Sequence, residues 1–248
     1  MKMIGVIPAR YASSRFPGKP LADIHGKPMI WWVYHQAKKV PELEEVYIAT
    51  DDTRIRCSAE ELGCSVIMTS DKHPTGTDRV AEVADKIQAD WYINIQGDEP
   101  LIASETIQTV LRPAINNEDV QVVSLMSKIT DPVEALNPTI VKVIASESGR
   151  GVYLTRSISP FPKGSIDYYL YKHISVFAFS KSALSYFSIT PRGRVECIED
   201  IEMLRFIENG INVKFIEVDS KSVAVDTVID LEKVRRIIKM KSEQLVGE

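Results

Sequence analysis

Two short stretches of this 248-residue chain concentrate residues able to do chemistry. In Ile7-Pro-Ala-Arg-Tyr-Ala-Ser-Ser-Arg-Phe-Pro-Gly-Lys-Pro20, three cations (Arg10, Arg15 and Lys19) fall within ten residues, Ser13 and Ser14 add hydroxyls, and Pro8, Pro17 and Pro20 fix φ. Such a loop suits an anion, because charge-assisted bonds to phosphate cost least when the donors are ordered beforehand. Basic residues on a surface loop are often only solvated charge, but prolines bracketing them favour the phosphate reading. With Gly18 as its single glycine, the loop matches neither GxGxxG nor GxxxxGK[ST], so side chains must hold a nucleotide here as much as backbone does.

The second stretch, Gln96-Gly-Asp-Glu-Pro100, follows an apolar run directly. Two acids at the carboxyl end of a strand, between a glycine that turns and a proline that stops, suit a divalent ion bridging a polyphosphate. The alternative is that Asp98 caps a helix starting near Ser104.

The elements that must position these stretches follow from periodicity. Short apolar runs at 3–7, 45–50, 64–69 and 91–95 read as strands, separated by helices expected at 29–40, 54–62 and 80–87. Asp51-Asp52-Thr53 supplies capping oxygens for the second helix, Gly63 closes it, and Thr77 is the expected cap of the third. Strands alternating with helices of about ten residues form right-handed parallel βαβ units, so the expected fold is α/β, a doubly wound, mostly parallel sheet. Strands are expected at 120–128, 171–179 and 213–218, with 137–143 running into a further one and 151–157 alternating, an acid-rich helix from 196 toward Gly210, and a terminal helix at 229–241 capped by Asp230. A loop rich in proline and aromatics at 159–169 breaks the rhythm. Residues of about 150–190 are therefore expected to form a smaller, partly antiparallel lid or dimerisation subdomain on a single domain spanning 1–248, giving a homodimer.

Composition narrows the function classes. A net charge of −4 argues against nucleic acid or an anionic membrane as partner, so a local basic loop must be specific. Cys57, Cys64 and Cys197 have no metal-ligand spacing, and an odd count points to a reducing compartment. No apolar run approaches membrane-spanning length, and a cytoplasmic enzyme or binding protein is expected.

The run from Ile7 to Pro20, continuing through Leu21 and Gly26-Lys-Pro-Met-Ile30, resembles the signature of the cytidylyltransferases that activate 3-deoxy-manno-octulosonate (Kdo) with CTP. Gln96-Gly-Asp-Glu-Pro100 matches that family letter for letter, Thr75-Gly-Thr-Asp-Arg79 is similar to its Ser-Gly-Thr-Glu-Arg segment, and Asn137-Pro-Thr-Ile-Val-Lys-Val143 to its Asn-Pro-x-x-Val-Lys-Val. The resemblance implies a Rossmann-like nucleotidyltransferase that moves CMP from CTP to the anomeric 2-hydroxyl of Kdo, with Mg²⁺ as cofactor, for lipopolysaccharide assembly. It implies that Pro8, Ala9, Arg10, Arg15, Lys19, Thr75, Gly76, Thr77, Arg79, Gln96 and Asp98 hold the nucleotide. Asp98 and Asp226 would hold Mg²⁺, with Arg10 and Lys19 completing the catalytic set. Gln96, Lys142, Arg156, His173, Glu196 and Glu199 would face the acceptor, with Lys172 beside His173 as a further cation for its carboxylate. Lys142 has a second reading, as a charged guard on an edge strand.

The chain departs from that family on the acceptor side. Ser175 stands for a glycine, Pro191-Arg-Gly-Arg-Val195 for Ser-Pro-Leu, and Ala224 and Val228 for a glycine and a proline around Asp226-Thr227. Another acidic sugar, a phosphorylated acceptor, or a nucleotide-binding module without turnover therefore stay open.

Overall fold

The computed structural model describes residues 1–12, 16–116, 119–164, 168–220 and 222–246. The chain opens with β1 (Met3–Ala9), the ribbon β2 (Asp23–Ile24) and β3 (Lys27–Pro28), α1 (Met29–Ala37), β4 (Glu45–Thr50), α2 (Thr53–Glu61), β5 (Val66–Met68), α3 (Gly76–Lys86) and β6 (Trp91–Ile95). It continues with α4 (Ser104–Thr109), α5 (Arg112–Ile115), β7 (Val122–Lys128), α6 (Pro132–Leu136), β8 (Lys142–Ala145), β9 (Gly151–Thr155) and β10 (Tyr171–Ser180). The last elements are α7 (Lys181–Ile189), α8 (Arg194–Glu199), α9 (Leu204–Glu208), β11 (Val213–Glu217) and α10 (Val228–Val246).

Strands β1 and β6 are almost wholly buried and, apart from Asn94, apolar on both faces. That is the pattern of strands covered by helices on both sides. The main sheet has the order β11-β7-β10-β6-β1-β4-β5, with β8 paired to β10 and β9 to β8. β4, β1 and β6 run parallel, as do β11 and β7. β10 is antiparallel to β6, β7 and β8. The stretch of about 150–190 is therefore divided: β9 joins the β8 hairpin beside the main sheet, whereas β10 lies in its middle because Ile174 and Val176–Phe179 bury on both faces.

One face of the sheet buries Ile30, Val33, Tyr34 and Ala37 of α1 with Ile55, Ala59 and Ile107 from α2 and α4. The other buries Val80 and Val83 of α3 with Phe187 and Phe206 from α7 and α9. Complete burial of Phe179, Phe187 and Phe206 contributes roughly 1.5–3 kcal/mol each. A third, smaller cluster joins Leu231 and Val234 of α10 to Ile24, Met29 and Val225. This docking brings the segment before α10 back to the β1 end of the molecule.

Local expectations hold in part. Asp52 caps α2, accepting from the Arg54 N–H at 2.9 Å. α3 starts four residues before the apolar stripe that opens at Val80, so its cap is Thr75, whose Oγ1 accepts from the Asp78 N–H at 3.2 Å, and not Thr77. Residues 137–140 form the turn that leads into β8, the Asn137 carboxamide accepting from the Thr139 N–H (2.9 Å) and hydroxyl (2.8 Å). The acid-rich helix from 196 toward Gly210 is two helices, α8 and α9, broken at Asp200 with φ 52°.

Candidate active site

After β1 the chain moves outward through β4 and β5, then returns to lay β6 on the opposite side of β1. The loops leaving β1 and β6 diverge at that reversal and open a crevice at the carboxyl ends, where open α/β sheets bind ligands. Both sequence stretches fall there. Gly97 permits the second to cross over the first: a Cβ at this position would lie 2.9 Å from Ile30 Cδ1 and 3.2 Å from the Pro8 carbonyl.

In the crevice Lys19 Nζ donates to Asp98 Oδ2 at 2.8 Å and reaches Asp226 Oδ1 at 3.5 Å. Gly18, at φ 72°, turns the chain into a 3₁₀ turn, residues 19–21, that presents Lys19. Asp98 and Asp226 are held together by backbone: the Val225 N–H donates to the Asp98 carbonyl at 2.8 Å. Neither acid is spent as a cap. The residue before α4 is Ala103, and Thr227 with Asp230 forms the reciprocal cap of α10. These side chains are 16% (Lys19), 28% (Asp98) and 33% (Asp226) exposed, so a ligand can reach them.

The residues expected to hold a nucleotide lie along β1 and α3. Pro8 and Ala9 end β1, and Arg10 Nη2 donates to the Pro74 carbonyl at 2.9 Å. Gly76 stands against Pro8 and the Gln96 carboxamide. Arg79 differs from expectation. It is fully buried, its guanidinium paired with Asp51 at 2.8 Å and bonded to Thr69 Oγ1, so it ties α3 to the ends of β4 and β5 and does not open onto the crevice. Arg15, with Ser13 and Ser14, lies outside the described residues.

Glu202 is a residue that the motif reading missed. Its carboxylate accepts from the N–H groups of Gly76 (3.2 Å) and Thr77 (3.0 Å), closing the α3 N-terminus next to Pro8 and Gln96. Burial raises its pKa, although both N–H groups favour the charged form. Glu196, Glu199 and Glu202 recur every three residues, which on one helix would put them on one face. The break at Asp200 turns them apart instead.

On the acceptor side, several expected contacts are taken up internally. Glu196 is fully buried and accepts from Arg205 Nη2 (2.7 Å), Arg205 Nε (2.8 Å) and Arg192 Nε (3.2 Å), so the expected sugar contact is corrected to an internal ion pair. Glu199 accepts from the Thr155 hydroxyl (2.6 Å), the Arg156 N–H (2.9 Å) and the Tyr153 hydroxyl (3.3 Å). The Arg156 guanidinium donates to the carbonyls of Glu199, Pro138 and Asp200. Lys142 is sealed from solvent, donating to the carbonyls of Asn137 (2.7 Å) and Arg156 (3.1 Å). Its edge-guard reading fails as well, since β8 is paired on both sides.

His173 faces Phe177, Phe215 and Ser124, and burial pushes its pKa down to about 4. The Ser124 hydroxyl donates to the Val176 carbonyl at 3.1 Å, so His173 Nε2 is the donor in their 2.8 Å bond. His173 is thus a neutral imidazole and no cation. Lys172 lines a cleft of about 670 Å³ and pairs with Glu134 at 2.8 Å. Between cleft and crevice stands Glu99, accepting from the Ser175 N–H at 3.3 Å, its pKa pushed up to about 7 by burial. Gln96 joins both sides: its N–H donates to the Ser175 carbonyl at 3.4 Å and its side chain faces Gly76.

Comparison with known proteins agrees with this geometry. A family model described as cytidylyltransferase matches residues 4–218. The 3-deoxy-manno-octulosonate cytidylyltransferase of Solibacter usitatus is 40% identical, covering 99% of this chain and 98% of its own. That of Escherichia coli is 40% identical over 96% of each. The structure of CMP:2-keto-3-deoxy-manno-octonic acid synthetase complexed with CTP superposes with a TM-score of 0.93 at 40% identity, covering 97% of this chain and 100% of that one. With the signature loop and the Gln-Gly-Asp-Glu-Pro turn meeting at the switch point of such a sheet, the chain belongs to the cytidylyltransferase family, among the 3-deoxy-manno-octulosonate cytidylyltransferases.

Proposed function

We propose that this protein transfers CMP from CTP to the anomeric 2-hydroxyl of Kdo, releasing pyrophosphate, as a Mg²⁺-dependent cytoplasmic step that supplies lipopolysaccharide assembly. The observation that carries this reading is the convergence of Asp98 and Asp226 on one cation, Lys19, at the switch point. Such a transfer needs little covalent chemistry: the hydroxyl attacks the α-phosphorus in line, pyrophosphate leaves, and the protein positions the reactants and balances charge.

Lys19 and Arg10 supply that charge for the triphosphate. Lys19 can exchange a carboxylate for a phosphate without leaving the crevice, and Arg10 is steadied by the Pro74 carbonyl. The donor set also fits Mg²⁺, which favours one or two carboxylates with substrate oxygens and water over an all-protein cage. Among the described residues there is no group of three or more His, Cys, Asp or Glu side chains that could hold a metal. Asp98 and Asp226 would hold the ion, and its contribution when bound is to neutralise charge on the α-phosphate and favour the ionised acceptor oxygen.

Kdo as acceptor is supported by identity of 40% with enzymes named for it over nearly full length. A homodimer is supported by exposed apolar side chains on α6, Val133 (71%) and Leu136 (70%), and between β9 and β10, Phe161 (82%) and Tyr169 (60%), and sedimentation velocity checks it. The deciding assay is pyrophosphate release with CTP, Mg²⁺ and Kdo, each omitted in turn, with other acidic sugars in place of Kdo. Release that requires all three is expected, with CTP binding well above ATP or GTP in calorimetry. Release without Kdo, or with another sugar only, overturns the acceptor.

A further inference from the structure

The loop that presents Lys19 leaves β1 at Arg10 and returns at Gly18, and one aromatic ring spans its neck. The Gly18 N–H donates to the Tyr11 carbonyl at 2.9 Å, and a Cβ on Gly18 would lie 3.2 Å from the Cζ and Oη atoms of Tyr11, so the phenol end of the ring rests against the Gly18 backbone. Over the same ring lies Arg54, its guanidinium carbon 3.3 Å from the centroid.

Arg54 is outside every motif noted in the sequence, and its side chain is 58% exposed. Its guanidinium is nonetheless aimed. Asp52 accepts from Nη2 at 2.6 Å and Nε at 3.0 Å while its Oδ1 also caps α2 through the Arg54 N–H. A planar cation fixed at two points can lie flat on a ring in a way that a free lysine cannot.

We propose that Arg54 is a positioning residue: stacked on Tyr11 and steered by Asp52, it clamps the neck of the 10–20 loop and thereby sets where Lys19 stands between Asp98 and Asp226. The chain of contacts is Asp52, Arg54, Tyr11, Gly18, and then Lys19 as the next residue. It couples the start of α2, at the end of β4, to the crevice at the end of β1. The catalytic consequence rests on the nucleotidyl-transfer reading above, whereas the clamp itself does not.

Amide hydrogen exchange in the ligand-free protein reads the clamp directly. Arg54→Ala keeps the backbone N–H that Asp52 caps, so α2 should keep its protection while Gly18 exchanges about two- to five-fold faster, the range expected from losing an exposed cation–π contact. Unchanged exchange at Gly18, or equal acceleration throughout α2, overturns the proposal. Turnover with CTP and Kdo reads the consequence: Arg54→Ala should lower kcat/KM by about two- to five-fold, and should add nothing in a Lys19→Ala background because the clamp acts through Lys19. Tyr11→Phe, which retains the ring, should behave as wild type. Equal losses in both backgrounds, or a Tyr11→Phe defect as large as that of Tyr11→Ala, overturn it. If the wild-type protein fails to turn over, the function reading has failed, and the exchange measurement still decides the clamp.

Discussion

Lys19 and Lys142 are both lysines held by two oxygens near the carboxyl end of the sheet, and their partners set them apart. Lys19 lies between carboxylates on side chains that still touch solvent. Lys142 lies between backbone carbonyls and touches none. The contrast extends to the regions around them. Around Lys19, cation and acids face an open crevice; among the residues expected to face the acceptor, Arg156, Glu196 and Glu199 are engaged by neighbouring backbone or side-chain groups. An ion pair at a crevice can exchange one partner for a phosphate at little cost. A cation surrounded by carbonyls of the fold has no equivalent partner to gain, and removing it leaves those carbonyls unsatisfied.

The sharpest way to break this contrast is Asp226→Asn, which keeps shape and removes one charge. The cap of α10 belongs to Thr227 and Asp230, so the melting temperature should stay close to wild type and CTP affinity should weaken only modestly in calorimetry. kcat should fall by about a thousand-fold, the scale of losing a group that acts where charge develops. Normal turnover would place Asp226 with the structural acids.

The reverse test is Arg205→Met, which takes two of the three donors from the buried Glu196 carboxylate and leaves it Arg192 alone. Unfolding free energy in urea should drop by about 3 kcal/mol, the lower end of the cost of breaking a buried pair because Arg192 stays, while kcat/KM of the folded protein stays near wild type. Lost catalysis at unchanged stability would move this pair into the site.

His173 gives a pH signature on the acceptor side. Its folded pKa of about 4 lies below the ordinary 6.5, so between those values the unfolded chain binds more protons and stability falls as pH falls. The loss by pH 4 is at most about 3 kcal/mol, and His173→Gln should flatten that limb in denaturation curves. An unchanged acid limb would show that the imidazole is better solvated than its neighbours suggest. Smaller still is the effect at Lys19: Lys19→Ala should cost about 1.5–3 kcal/mol, or roughly one to two decades in kcat/KM, and Lys19→Arg less because charge matters more than fork geometry at a polyphosphate. Equal, unimpaired kinetics in both would leave the loop purely structural.

Much of the crevice was legible in the sequence because its chemistry is local. Arg10, Lys19 and Asp98 sit in runs whose prolines and glycines announce rigid turns, and turns directly after apolar strands fall at a sheet's carboxyl end. β4 and β6 were readable to the residue for the same reason, as short apolar runs with clear boundaries. Thr75 was missed as the cap of α3 because a helix can begin on polar residues before its apolar stripe starts, and a cap is recognised by backbone angles that the stripe does not report.

The acceptor side resisted sequence reading because its polar residues are decided by what surrounds them. The separation of Glu196 from Glu199 depends on one left-handed residue, Asp200, and Arg205 meets Glu196 only once α8 and α9 have folded against each other. Arg79 looked like a phosphate ligand by motif, yet it is buried against Asp51 and Thr69, contributed by the ends of two other βα units. The sequence by itself determined the parallel βαβ alternation and the loop chemistry, both written in patterns a few residues long. Only the tertiary structure decided which charges face a ligand and which face one another, because burial and pairing depend on segments as far apart as Lys19 and Asp226, brought together by docking α10 against the β2–β3 ribbon.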